Sequence, residues 1–125
     1  MKEENKISDD IKNILKLVDE KFIIDKKRTW SQGSKTYLNC VKGEIKEVED
    51  EILKKRKNHL EDELGDILWS YLNLLKNLQE EKLIDMKKVF ERCSRKYAER
   101  IFGIERGDGW DEIKEKQKKF LEKEK

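Results

Sequence analysis

The sequence predicts an all-α protein, a helical bundle of four main helices followed by a C-terminal helical segment. Proline is absent and only six glycines occur in 125 residues. Charged residues make up 46% of the chain, and the strong helix formers Lys, Glu and Leu dominate it. Apolar side chains recur at helical spacing along most of the length. A chain of this size is expected to form one domain, residues 1–125.

The first half of the chain predicts two helices. Ser8 is expected to cap the first, whose apolar residues begin at Ile11. Residues 28–33 have the composition of a loop. The second helix is expected to begin after Ser34 and to end near Lys57. Its apolar stripe, which we expect to face the core, consists of Tyr37, Leu38, Val41, Ile45, Val48 and Ile52.

The second half predicts two further helices and a shorter segment. Asn58 has the spacing of a capping box for the third helix, which carries the strongest apolar periodicity of the sequence. Asp85 is expected to cap the fourth helix, and Gly103 to end it. A last helical stretch is expected to start near Trp110 and to fray in the Lys- and Glu-rich C-terminus.

Composition also excludes several classes of protein. Thirty basic residues stand against 28 acidic ones, which disfavours a dedicated nucleic-acid-binding protein. The chain contains neither a signal-peptide pattern at its start nor an apolar run of ~20 residues, so we expect a cytoplasmic location without a membrane span. Cys40 and Cys93 lack metal-site spacing, and the single His59 cannot anchor a histidine metal site. The low hydrophobic fraction, 35%, favours a homodimer or homotetramer.

Two acidic pairs are the candidate functional residues. Glu44 and Glu47 lie on the second predicted helix, and Glu63 and Asp66 lie on the third. A step of three residues places both acids of a pair on one face, beside the apolar stripe. If the two helices pack antiparallel, the four carboxylates converge at the edge of their interface.

Converging carboxylates repel one another, and a hard divalent cation removes that penalty. Without histidine ligands, the site favours Mg²⁺, or Mn²⁺ as a substitute, together with phosphate chemistry. The alternative interpretation is a solvated acidic face, which is common in a chain so rich in Glu. Gly65, between Glu63 and Asp66, favours the site because a glycine inside a helix indicates close packing or a need for room.

The acidic segments resemble the signature of the MazG family of nucleotide pyrophosphohydrolases, E-x-x-E followed by E-x-x-D. Here 15 residues separate Glu47 from Glu63. The resemblance spans roughly residues 30–114. The segments that carry it further are WSQ at residues 30–32, LEDELGDIL at 60–68, KYAER at 96–100 and GWDEIK at 109–114.

The sequence departs from the family pattern at two places. Gly43 stands where the family often has a further glutamate, and residues 100–103 (RIFG) replace its R-R-H-P-H segment. Only one domain is present, whereas MazG proper has two. The departures put in doubt any substrate preference taken from MazG itself.

The resemblance implies a Mg²⁺-dependent hydrolase that converts a nucleoside triphosphate to the monophosphate and pyrophosphate, with a role in cleaning the nucleotide pool. It implies metal binding by Glu44, Glu47, Glu63 and Asp66. Glu47, more than Glu44, is expected to activate water. Substrate-binding residues are expected to be Lys96, Arg100, Trp110 and Lys114, although Trp110 is equally well read as a core anchor.

Two alternatives remain open. A related helical pyrophosphohydrolase would act selectively on dUTP or dCTP, or on phosphoribosyl-ATP. A helical interaction module without catalysis would bind neither metal nor nucleotide.

Overall fold

The computed structural model describes residues 2–124, which form five helices with no strand between them. The all-α class is therefore confirmed. The helices are α1 (Lys2–Lys26), α2 (Ser34–Lys54), α3 (Lys57–Glu80), α4 (Met86–Glu105) and α5 (Trp110–Lys123). The expected C-terminal segment is a complete helix of 14 residues, so the described chain has one helix more than four main ones.

The chain divides into two compact units, Met1–Ile84 and Asp85–Lys125. In the first unit, α2 and α3 make the most extensive contact and α1 packs on α3. In the second unit, α4 packs on α5. None of the helices in residues 2–124 is sufficiently long and apolar to span a membrane.

Three of the expected helix ends are wrong. Ser8 lies inside α1, which already begins at Lys2. The N-cap of α3 is Arg56 rather than Asn58, and no side chain caps it. Gly103 lies within the last turns of α4, which continues to Glu105. The expected cap at Asp85 is confirmed, since its carboxylate accepts a hydrogen bond from the backbone N–H of Lys87.

The N-terminus of α2 is capped from a distant part of the chain. Glu81 Oε2 accepts a 2.8 Å hydrogen bond from the backbone N–H of Ser34, and Glu81 Oε1 accepts one of 2.7 Å from the Ser34 hydroxyl. Gly33 precedes this cap with φ of 87°, and a Cβ there would lie 2.7 Å from Glu81 Oε2. A glycine is therefore required, because the position is both left-handed and crowded.

The expected apolar stripe of α2 is confirmed for three of its six residues and wrong for the other three. Tyr37, Val41 and Val48 of the expected stripe are buried or half-buried, and Glu44 and Glu51 are also buried or half-buried on α2. The other three apolar residues, spaced seven residues apart, lie on a neighbouring face and are 43–54% exposed: Leu38, Ile45 and Ile52. The periodicity correctly predicted a helix, but it predicted that these three residues face the core, whereas they are exposed.

The apolar core is small. Among residues 2–124, the buried hydrophobic side chains are Val18, Tyr37, Leu72 and Leu75. On α3, the apolar stripe is buried near Leu72 and Leu75, but Leu64, Leu68 and Tyr71 remain exposed. Since this core covers only part of the apolar surface, a substantial apolar area is left on the outside of α2 and α3.

The close packing of α4 on α5 gives a stability prediction. A Cβ at Gly103 would overlap with Cδ1 of Ile113, whereas a Cβ at Gly65 would meet no atom within 4 Å. We expect Gly103→Ala to destabilise the protein by about 1–2 kcal/mol through overpacking. Gly65→Ala is expected to stabilise it by about 1 kcal/mol through helix propensity. Urea unfolding of both variants measures the difference, and equal midpoints would contradict this account of Gly103.

Candidate active site

The antiparallel pair α2–α3 positions the acidic residues. Only Lys55 and Arg56 connect the two helices, so they run in opposite directions. Carboxylate oxygens of Glu44, Glu63 and Asp66 lie within 4.8 Å of one another, and all three side chains are half-buried. The structure thus brings together one acid from α2 and two from α3, at the interface between these helices.

Glu47 lies at the solvent edge of this group. Its residue is exposed, and its carboxyl group is in hydrogen-bonding contact with those of Glu63 and Glu44. It does not belong to the group of Glu44, Glu63 and Asp66, in which one carboxylate oxygen of each residue lies within 4.8 Å of those of the other two. Glu47 is therefore more accessible to solvent than Glu44, Glu63 and Asp66.

The concentration of negative charge shifts the protonation of the two inner glutamates. A hydrogen bond with Glu47, burial, and the charges of Glu47 and Asp66 raise the pKa of Glu63 from 4.5 to about 7. Burial, together with the carboxylates of Glu47 and Asp66, also raises the pKa of Glu44. Near neutral pH, the ionised cluster therefore contains repulsion that a bound cation would remove.

Two oxygens of the cluster have no protein partner. In residues 2–124, the buried side-chain oxygens that lack a hydrogen bond are Glu44 Oε2, Glu63 Oε2 and Asn73 Oδ1. An orphaned buried carboxylate oxygen is costly unless a ligand satisfies it. As metal ligands, carboxylate oxygens of this number and charge fit a hard divalent cation such as Mg²⁺.

The raised pKa values give a pH prediction for the metal-free protein. The folded state holds its Glu63 proton up to about pH 7, whereas the unfolded state releases it near pH 4.5. Between these values the folded state binds more protons, so the free energy of unfolding falls as pH rises. Urea unfolding at several pH values in EDTA measures this slope, and Glu63→Gln should reduce it. An equal slope in both proteins would contradict the shift.

An ion pair between a buried glutamate and an exposed arginine, which the sequence reasoning missed, lies at the end of α2. Glu51 is 7% exposed, and its carboxylate accepts hydrogen bonds from Nε and a terminal nitrogen of Arg56. This guanidinium holds the pKa of Glu51 below its usual range. The signal in the sequence was that Glu51 lies one helical turn beyond Glu47 and close to the basic residues 54–57 (KKRK). The pair fixes the connection between the two acid-bearing helices.

Trp30, which the sequence predicted to lie in a loop, packs against a cluster of polar side chains in the first unit. Lys21 Nζ lies 4.4 Å from the centre of the Trp30 ring, and the Tyr37 ring packs against Trp30 edge to face. The buried carboxylate of Asp25 accepts hydrogen bonds from both Lys21 and the Tyr37 hydroxyl. Sequence reasoning missed this triad, because its members lie on α1 and α2 without motif spacing.

The second unit contains the basic residues predicted to bind substrate. Arg100 is only 5% exposed, and its guanidinium lies 5.1 Å from the ring centres of both Tyr97 and Trp110. Its Nε donates a 2.8 Å hydrogen bond to Gln117 Oε1. The guanidinium of Arg100 therefore packs beside two neighbouring aromatic rings. Trp110 is partly exposed and contacts Arg100, while Lys96 and Lys114 are exposed.

The chain is thus an all-α protein with a half-buried carboxylate cluster on two antiparallel helices. The model of the MazG nucleotide pyrophosphohydrolase domain matches residues 32–101, a range that includes all four acids. The chain belongs to this family. Comparison with curated proteins and with solved structures found no significant match.

Proposed function

We propose that the protein is a Mg²⁺-dependent nucleoside triphosphate pyrophosphohydrolase, which releases the nucleoside monophosphate and pyrophosphate. The observation that carries this proposal is the cluster of Glu44, Glu63 and Asp66, with its two orphaned carboxylate oxygens, within a chain of the MazG family. Mn²⁺ is the expected substitute for Mg²⁺.

The four acids have different proposed roles, because their exposure to solvent differs. Glu44, Glu63 and Asp66 would hold the cation, which would supply charge neutralisation to the phosphates and acidify a water molecule. Glu47 is exposed beside them, so it is the acid best placed to orient a water and to accept its proton. The bond that breaks is the anhydride between the α- and β-phosphates, and the protein's task is positioning and charge compensation.

Pyrophosphate release from a panel of nucleotides tests this function. The panel contains the canonical ribo- and deoxyribonucleoside triphosphates, dUTP and phosphoribosyl-ATP, each with Mg²⁺, with Mn²⁺ and with EDTA. We expect monophosphate and pyrophosphate in equal amounts with metal, and no product with EDTA. Activity on phosphoribosyl-ATP alone, or on dUTP or dCTP alone, would favour the related selective enzymes. No nucleotide binding and no hydrolysis would favour a helical interaction module.

The basic residues of the second unit give a further prediction. Lys96→Ala is expected to lower kcat/KM by about tenfold, the worth of one charge-assisted hydrogen bond to phosphate, while leaving stability unchanged. Arg100→Ala is expected to lower activity. It should also destabilise the protein by about 2 kcal/mol, because the rings of Tyr97 and Trp110 lose their contacts with the buried guanidinium. Steady-state kinetics and thermal unfolding separate the two effects. Wild-type kinetics in both variants would remove these residues from phosphate binding.

We also propose a homodimer formed through the exposed apolar stripe of α2, Leu38, Ile45 and Ile52. The spacing of seven residues is that of a coiled-coil seam, and the stripe has no covering element among residues 2–124. In an antiparallel pair centred on Ile45, Leu38 of one copy faces Ile52 of the other.

Sedimentation equilibrium tests this interface. The wild type is expected to sediment as a dimer, or as a tetramer if Leu64, Leu68 and Tyr71 are covered by a second contact. Ile45→Glu, which places a charge at the centre of the seam, is expected to give monomers. A wild-type monomer at high concentration, or an unchanged assembly in the variant, would contradict the proposal.

A further inference from the structure

The two helices of the second unit meet through a small number of inward positions. On α5, Ile113 and Gln117 are half-buried, whereas the other residues of this helix are exposed. On α4, Arg100 and Gly103 are the buried residues. Ile113 packs against Gly103, and Gln117 contacts Arg100. If position 117 served helix packing alone, an apolar side chain would be expected there, so its amide indicates another role.

The guanidinium of Arg100 has no counter-ion among residues 2–124. The residue is 5% exposed, and its Nε donates to a neutral amide oxygen, Gln117 Oε1, at 2.8 Å. Its terminal nitrogens form no hydrogen bond or ion pair within the described chain. Neither is among the buried side-chain atoms that lack a partner, so both retain access to solvent. A buried guanidinium without a carboxylate is costly unless an anion binds to it.

The amide of Gln117 is fixed in one orientation. Its Nε2 donates a 2.9 Å hydrogen bond to the backbone carbonyl of Lys96 and one of 3.2 Å to Glu99 Oε2. Because a carbonyl and a carboxylate both accept hydrogen bonds, Nε2 must face them and Oε1 must face Arg100. The backbone of α4 therefore holds the amide, and the amide holds Nε of the guanidinium. The two terminal nitrogens, which can form a bidentate contact with phosphate, stay free.

We infer that Gln117 is a positioning residue of the phosphate site, which orients the Arg100 guanidinium for a phosphate group of the substrate without neutralising its charge. The inference rests on the proposed function, in which Arg100 binds phosphate. A carboxylate at position 117 would accept the same hydrogen bond from Nε, but it would also supply the missing negative charge and so compete with phosphate. An apolar side chain would leave the guanidinium without an acceptor that orients it. Glutamine provides the acceptor and adds no charge.

Binding of inorganic tripolyphosphate tests the inference without metal or turnover. The protein is titrated calorimetrically in metal-free buffer at low ionic strength, where charge screening is weak. Gln117→Glu should weaken binding about tenfold, the worth of one charge-assisted hydrogen bond, because the new carboxylate pairs with Arg100. Gln117→Ala should weaken binding only about threefold, the cost of ordering one long side chain, because the guanidinium keeps its charge and loses its orientation.

Lys118→Gln provides a control of matched charge. Like Gln117→Glu, it makes the net charge of α5 more negative by one, but Lys118 is exposed and forms no hydrogen bond with Arg100 or Gln117. This variant should bind tripolyphosphate like the wild type. Circular dichroism confirms that each variant keeps its helices. If Gln117 only ties α5 to α4, its two variants should bind tripolyphosphate equally well. That result, or a wild type that does not bind tripolyphosphate, would overturn the inference.

Turnover separates this inference from the proposed function. With Mg²⁺ and a nucleoside triphosphate that the wild type hydrolyses, Gln117→Glu should raise KM about tenfold and change kcat much less, since the lost contact contributes to substrate binding. Pyrophosphate release with equal KM in the wild type and Gln117→Glu would overturn the role of Gln117 and retain the hydrolase. Tripolyphosphate binding that is weaker in Gln117→Glu than in Lys118→Gln, without pyrophosphate release from any nucleotide, would retain the role of Gln117 in anion binding and overturn the hydrolase.

Discussion

Replacement of Glu63 by Gln, or of Asp66 by Asn, is expected to reduce pyrophosphate release about 100-fold or more. Each change removes one charge from the acid cluster and keeps the side-chain shape. The loss of a ligand misplaces the cation and the attacking water, and positioning errors of this kind cost ~100-fold in rate. In the absence of metal, the same variants should be as stable as the wild type or more stable. The reason is that Glu63 and Asp66 repel their neighbours when ionised.

Two acids outside the cluster provide matched controls. Glu61 and Asp62 precede Glu63 on α3 and are exposed. Glu61→Gln and Asp62→Asn should retain wild-type rates and change stability by no more than about 0.5 kcal/mol. The assay pairs kcat/KM at saturating Mg²⁺ with urea unfolding in EDTA. If the cluster variants hydrolyse triphosphates as fast as the controls, the proposed site has to be abandoned.

Mg²⁺ is expected to stabilise the folded protein strongly. At a free concentration 100-fold above its Kd, a cation that binds only the native state contributes about 2.7 kcal/mol. For a chain of this size, that raises the Tm by on the order of 10 °C. Binding would neutralise the charge that the cluster holds near pH 7 and would satisfy the orphaned oxygens of Glu44 and Glu63. Calorimetric melts in EDTA and in increasing Mg²⁺ measure the shift.

The Mg²⁺ effect must depend on the cluster if it reports specific binding. Asp66→Asn should lower the Mg²⁺-dependent increase in Tm, whereas Asp62→Asn should leave it unchanged. An equal increase in both variants would indicate general screening of charge rather than a site. Identical melting temperatures with and without saturating metal in the wild type would contradict a metal centre.

The sequence predicted the helices and the approach of Glu44, Glu63 and Asp66, whereas Glu47, the fourth predicted member, lies outside this three-acid group. Periodicity identifies a helix because the side chains on one face recur with its pitch, and three-residue spacing places both members of an acidic pair together. The positions of the caps were less predictable. Asn58 has a capping-box pattern, yet α3 begins without a side-chain cap, and Glu81 from a distant segment caps α2. Such contacts depend on tertiary packing that local patterns do not contain.

Burial was the second quantity that the pattern did not predict. Apolarity assigned Leu38, Ile45 and Ile52 to the core, but the face of α2 that meets α3 carries Glu44 instead. Arg100 is buried beside two aromatic rings, and Asn73 is fully buried, although both residue types are usually exposed. Hydrophobicity correctly placed Tyr37, Val41 and Val48 inward, but it could not identify the polar residues that share the inward positions.

The two-residue connection between α2 and α3 has a consequence for folding. Because contacts between helices joined by so short a connection require little loop closure, we expect this hairpin to form early, before α1 docks on α3. Glu44, Glu47, Glu63 and Asp66 all lie on this hairpin, so their mutual repulsion opposes the first tertiary structure that the chain forms. Removing one of these charges should then speed refolding in the absence of metal, rather than slow unfolding alone.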